Sequence, residues 1–192
     1  MNWTVLLADS HDALRTAVAA IDDAGRDLPT PCEKWTVTQV LQHAAGDQLG
    51  YAAALTGGPG PGYDPFAPSG EVSGDPRDLL AEALTASAAA WSTVDPAAEA
   101  VPTPLPQGPM PAWLAGGACA LDAAVHAWDI AVALGRPSPL TDAMSRDLLV
   151  VARQIVEPLR AWGVYASALD AEPGDDTAAL LAYLGRNPAW RP

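Results

Sequence analysis

The sequence predicts an all-α protein, a four-helix bundle with additional C-terminal helices. Two observations carry this. Apolar residues recur at helical spacing through most of the 192 residues, whereas the alternation of a half-buried strand nowhere lasts more than a few residues. Four long helical segments are also separated by two long connections rich in proline and glycine, an arrangement that suits a bundle better than a solenoid. At this length one domain over residues 1–192 is expected, able to bury a core without disulfides or metal.

The first helix is expected over residues 9–23, with Leu14, Val18 and Ile21 on one face, closed by "GRDLPTPCEKW". The second spans 36–55, with Thr36 or Thr38 as cap and Val37, Leu41, Ala44, Gln48, Ala52 and Leu55 in one stripe. The loop that follows, "TGGPGPGYDPFAPSGEVSGDP", is longer than most connections and reads as a functional lid or a partly disordered segment. Helix three covers 76–94, with Asp75 as cap before a first-turn proline. A second Pro-rich connection leads to helix four at 115–134. Helix five spans 141–162 on Leu148, Val151, Ile155 and Leu159, and a short helix at 176–184 precedes the tail "GRNPAWRP".

Composition excludes several classes of function. A net charge of -13, from 23 acidic against 10 basic residues, opposes a phosphate backbone and an anionic membrane surface. No nucleic acid and no membrane is expected as partner. Cys32 and Cys119 fit no zinc-ribbon or CxxC spacing, and "MNWTVLLADSHDAL" lacks a secretory pattern, so free thiols in a reducing cytoplasm are expected. Monomer and homodimer both stay open.

The chemistry concentrates in helix four. "AGGACALDAAVHAWDIAVAL" carries three ionisable groups among small and apolar residues: Asp122, His126 and Asp129. At 100° per residue, Leu114, Leu121, Val125, Trp128 and Val132 form one stripe, and the three polar groups share a separate sector about 60° wide, with Cys119 beside it. A helix apolar nearly all round is buried, and buried carboxylates and imidazoles need partners or a metal. Asp122 and His126, at i and i+4, can reach one point above the helix, although that spacing alone also fits a surface ion pair. Asp129 can accept a hydrogen bond from the ring nitrogen that His126 does not give to a metal. On helix two His43 lies on the shoulder of the apolar stripe, with Asp47 one turn later; alone, His43 also fits a polar residue beside the core. His11, next to Asp12, reads as solvated. Two histidines and a carboxylate from two helices make a three-ligand site with open positions, suited to Zn(II) and also to Fe(II) or Ni(II). Cys119, one turn before Asp122, is either a small core filler or a nearby fourth donor. Cys32 reads as packing at the entry to helix two, with Trp35 stapling its start. Of the tryptophans, Trp113 and Trp128 have a claim on the site because they share its helix.

Three segments, "PTPCEKWTVTQVLQHAAG", "LDAAVHAWDIAVALG" and "LLAYLGRNPAW", together resemble the metal-binding domain family of mycothiol-dependent maleylpyruvate isomerase, of actinobacterial type, within the DinB/YfiT-like superfamily. The resemblance implies a DinB/YfiT-like four-helix bundle and a divalent metal, zinc first and nickel or iron next, held by His43, Asp122 and His126. The isomerase carries glutamate where this chain has Asp122. The resemblance further implies that the metal activates a low-molecular-weight thiol, mycothiol, as a thiolate that attacks an electrophilic small molecule. The activity would be that of an S-transferase or isomerase; the alternative is a non-catalytic bundle that binds a metal or small ligand.

Overall fold

A computed structural model describes residues 2–171 and 174–192. Among these residues there are six helices and no strand: α1 (Trp3–Ala19), α2 (Val37–Thr56), α3 (Pro76–Trp91), α4 (Ala112–Ala133), α5 (Asp142–Arg160) and α6 (Asp176–Tyr183). Helix α4 packs against α1, α2 and α5; α2 also packs on α3, α1 on α3, and α6 on α5. The first four helices thus form a bundle, and α5 and α6 extend it beyond α4. None of the described helices is long and apolar enough to cross a membrane.

Local chemistry sets the helix starts. Thr36 caps α2 in a capping box: its hydroxyl accepts from the Gln39 amide while the Gln39 side chain accepts from the Thr36 amide. Thr38, the other candidate, donates instead to the Arg26 carbonyl. Asp75 caps α3, Thr141 caps α5 and Asp175 caps α6. From α2 onward the boundaries agree with the sequence expectation to within three residues.

Helix α1 departs from expectation. It begins at Trp3 and ends at Ala19, so Asp9 lies inside it and Ile21 beyond it. The reason is tertiary. Trp3, Leu6 and Leu7 continue the inward face toward the N-terminus, and the Trp3 ring meets Trp91 of α3 edge-on at 5.5 Å. His11 is corrected as well: it is 3% exposed, not solvated, and its Nε2 lies 2.9 Å from Gln48 Oε1.

In α4, 18 of 22 residues are buried, so its polar sector has to face protein. The loop over 57–75 docks along α2. Tyr63 donates to the Gln42 carbonyl, Gln42 donates to Ser69 and Glu71, and Gln39 donates to the Pro68 carbonyl. Gly46 makes this approach feasible, because a Cβ there would lie 2.6 Å from Pro65.

Candidate metal centre

Helices α2 and α4 cross so that the His43 and His126 rings meet edge to face, with centroids 4.8 Å apart. Both Nε2 atoms face Asp122 Oδ1, at 3.4 Å from His126 and 4.0 Å from His43. These three residues each offer a ligand atom within 4.8 Å of the others.

The far atom of each side chain is already engaged. His43 Nδ1 lies 3.0 Å from the Pro65 carbonyl. A carbonyl only accepts, so Nδ1 carries the proton and the Nε2 lone pair is bare. His126 Nδ1 lies 2.9 Å from Asp129 Oδ2 and donates to it, which turns the other nitrogen inward. Asp122 Oδ2 accepts from the Gln48 amide at 3.4 Å, leaving Oδ1 for the centre. Gln48 is oriented in turn by His11, Ser87 and Cys119, which all donate to its Oε1.

The electrostatics single out the centre. Burial, and then the neighbouring His126, push the His43 pKa down to about 4, so this ring is neutral at neutral pH. For His126 burial also opposes charge, but the hydrogen bond and charge of Asp122, then Asp129, outweigh it and hold its pKa well above the ordinary imidazole range. Burial alone would raise the Asp122 pKa; His126 and His43 bring it below the usual carboxylate value. Asp129 resists burial through Arg186 and His126 and is held far down as a carboxylate. With both imidazoles neutral, Arg186 balances Asp129, but among the described residues no cation balances Asp122. A buried uncompensated carboxylate is costly, and either a proton on His126 or a cation between the three donors removes the imbalance. The donor set, two imidazole nitrogens and one carboxylate oxygen with two lone pairs pre-aimed, fits a divalent metal.

Other expected participants fall on either side of this geometry. Asp47 Oδ2 is 3.7 Å from His43 Nε2, and burial followed by the Asp122 charge raises its pKa well above the usual range. Cys119 is fully buried, with Sγ 3.1 Å from Gln48 Oε1, and burial pushes its thiol pKa up. Trp128 packs in the core and Trp113 is 38% exposed. The tryptophan at the centre is Trp35, whose ring lies 4.6 Å from His43, with Phe66 of the loop on another side at 5.4 Å.

Over residues 7–131 the chain matches the family model described as the mycothiol maleylpyruvate isomerase N-terminal domain. The chain belongs to that family. An uncharacterised protein of Mycobacterium tuberculosis, found in strains CDC 1551 and H37Rv, is 30% identical over 182 residues, covering 92% of this chain and 93% of the relative. In fold, crystal structures of the mycothiol-dependent maleylpyruvate isomerase and of a histidine-to-alanine mutant of it superpose with TM-score 0.61. They are 21% and 20% identical, and each match covers 91% of this chain and 78% of theirs.

In this member of the mycothiol maleylpyruvate isomerase family, sequence reasoning missed Arg186. Its Nε donates to Asp129 Oδ1 at 2.9 Å and its Nη2 to Oδ2 at 2.8 Å. It missed Cys32 in this role too, since Cys32 Sγ donates to Asp129 Oδ2 at 3.1 Å. The one available signal was "GRNPAW", whose arginine follows a glycine at the end of α6.

Proposed function

We propose that His43, Asp122 and His126 hold a divalent cation, zinc in first place and nickel or iron as alternatives, and that the protein is a mycothiol-dependent isomerase or S-transferase. The observation that carries this reading is the convergence of two Nε2 atoms and Asp122 Oδ1 on one point, each with its far atom held by another group. Membership of the family supports the choice of thiol. A bound cation would favour thiolate over thiol and keep the sulfur in place. The chain's own groups do the rest. His43 is neutral, His126 gives up its Nε2 proton as the cation enters, Trp35 and Phe66 flank the imidazole of His43, and Asp47, ionised once a cation offsets the Asp122 charge, stands beside the site as acceptor for the proton that the thiol releases. The thiolate then attacks an electrophilic carbon. In an isomerisation it adds to a conjugated double bond, the resulting single bond rotates, and the same thiolate is expelled.

The test is elemental analysis of protein purified without added metal or a histidine tag, beside His43→Ala and His126→Ala. Near one metal per chain in the wild type and none in either variant is expected, followed by turnover of thiol with a maleyl compound or a chlorinated aromatic. Turnover that survives loss of all three ligands would overturn the assignment.

A further inference from the structure

The residue that closes this arrangement comes from the far end of the chain. Helix α6 ends with Leu184 as its cap, Gly185 at φ 80° and Arg186 next. The Arg186 amide donates to the Leu181 carbonyl and the Gly185 amide to the Ala182 carbonyl, which is the hydrogen-bond pattern of a Schellman turn. Gly185 suits this turn twice over. Its backbone is left-handed, and a Cβ there would lie 2.8 Å from Ala166 and 2.9 Å from the Ser167 carbonyl. The turn delivers Arg186 to α4, across 57 residues of sequence, where its guanidinium grips both oxygens of Asp129 in a two-pronged pair. Asp129 has a side chain 0% exposed and Arg186 one only 11% exposed, so this pair is sheltered from solvent screening.

Asp129 Oδ2 accepts three donors at once: His126 Nδ1, Arg186 Nη2 and Cys32 Sγ. Without the guanidinium, a buried carboxylate would keep only a thiol and an imidazole. It would then be free to rotate away, and that removes the acceptor that fixes the proton on His126 Nδ1. A second metal in the group formed by Cys32, His126 and Asp129 is excluded by the same guanidinium, because Arg186 Nη2 lies 3.3 Å from Cys32 Sγ and already occupies that side with positive charge.

We propose that Arg186 is a positioning residue of the candidate metal centre: by locking Asp129 it fixes the His126 ring with Nε2 turned to the other donors. The segment after α6 thereby sets the affinity of a site that it does not touch. This inference rests on the reading of His43, Asp122 and His126 as ligands.

The experiment uses the full chain, wild type and with Arg186→Met or Arg186→Lys. The control is Arg146→Met, which removes the exposed pair between Arg146 and Asp176. Zinc affinity is measured by competition with a chromophoric chelator, helical content by circular dichroism, and the His126 tautomer by nitrogen-15 NMR of the metal-free protein. Loss of an outer partner of a metal-binding histidine costs about 10–100-fold in affinity, and that loss is expected for Arg186→Met. Arg186→Lys, which keeps the charge but not the fork, falls between it and the wild type, and Arg146→Met matches the wild type. In the NMR spectrum, recorded at a pH high enough for the His126 ring to be neutral, the proton sits on Nδ1 in the wild type and is shared between the two nitrogens in Arg186→Met. Should Arg186→Met fail to fold, Arg186→Lys decides by the same two readouts. Wild-type affinity and an unchanged tautomer in a folded Arg186 variant overturn the role of Arg186. A wild type that binds no zinc overturns the metal reading instead, and the NMR result then still tests Arg186 on its own.

Discussion

Two buried polar clusters lie next to each other in the bundle, and they differ in kind. One is the group of His11, Gln48, Ser87 and Cys119, where His11 of α1, Ser87 of α3 and Cys119 of α4 all point at the Gln48 side-chain oxygen. The other is His43, Asp122 and His126. The first is a closed neutral network in which each donor meets an acceptor, as buried polar groups require. The second keeps two lone pairs and one carboxylate oxygen directed at a common point, with one negative charge unbalanced when both rings are neutral. The clusters are joined by a single contact, from the Gln48 amide to Asp122 Oδ2. A buried polar cluster is therefore not in itself a binding site. Residual charge and unspent lone pairs separate a site from a structural network.

The sharpest way to break this comparison is to remove one member of the second cluster. Asp122→Asn should lower zinc affinity more than about a hundredfold, beyond the usual effect of an outer partner, and should leave the metal-free protein folded, as seen by titration and circular dichroism. Unaltered zinc binding would place the two clusters in the same class. Next in size is Gln48→Leu, which strands the donors of His11 and Ser87; each buried unsatisfied group costs about 1–3 kcal/mol. Denaturant unfolding should show that loss with or without chelator.

The two clusters should also answer pH in opposite senses. Burial lowers the His11 pKa, so its network loses stability as pH falls below about 6.5, the unfolded value, toward the lower folded one. The raised pKa of His126 acts the other way in the metal-free chain. Its contribution is fully present below about 6.5 and fades as pH climbs through the higher folded value. A metal must displace that proton, so zinc affinity should rise about tenfold per pH unit and level off above the His126 pKa. Unfolding curves of His11→Gln and His126→Gln across pH 5–9 would expose matching rather than opposite trends if this division is wrong. The smallest expected effect belongs to Ser87→Ala, about 1 kcal/mol of stability with zinc affinity unchanged.

Five of the six helices and the three clustered donors were legible in the sequence because their signals are local. Apolar stripes at helical spacing, capping residues such as Thr36 and Asp75, and the i, i+4 separation of Asp122 and His126 lie within one or two turns of chain. Helix α1 was displaced toward its C-terminal half because Trp3, Leu6 and Leu7 look like an unfinished stripe until Trp91 covers them. His11 looked solvated because Asp12 follows it, yet its burial depends on Gln48 coming to face it from α2.

By itself the sequence determined an acidic all-helical chain, with a mostly buried fourth helix whose polar sector needed partners. Tertiary structure alone decided what those partners are: the Pro65 carbonyl for His43, Gln48 for Asp122, and Arg186 with Cys32 for Asp129. Helical periodicity repeats every few residues and so is written along the chain. A hydrogen bond between residues 57 or 97 positions apart leaves no such repeat, and it exists only once packed helices have fixed the distance and direction between its two ends.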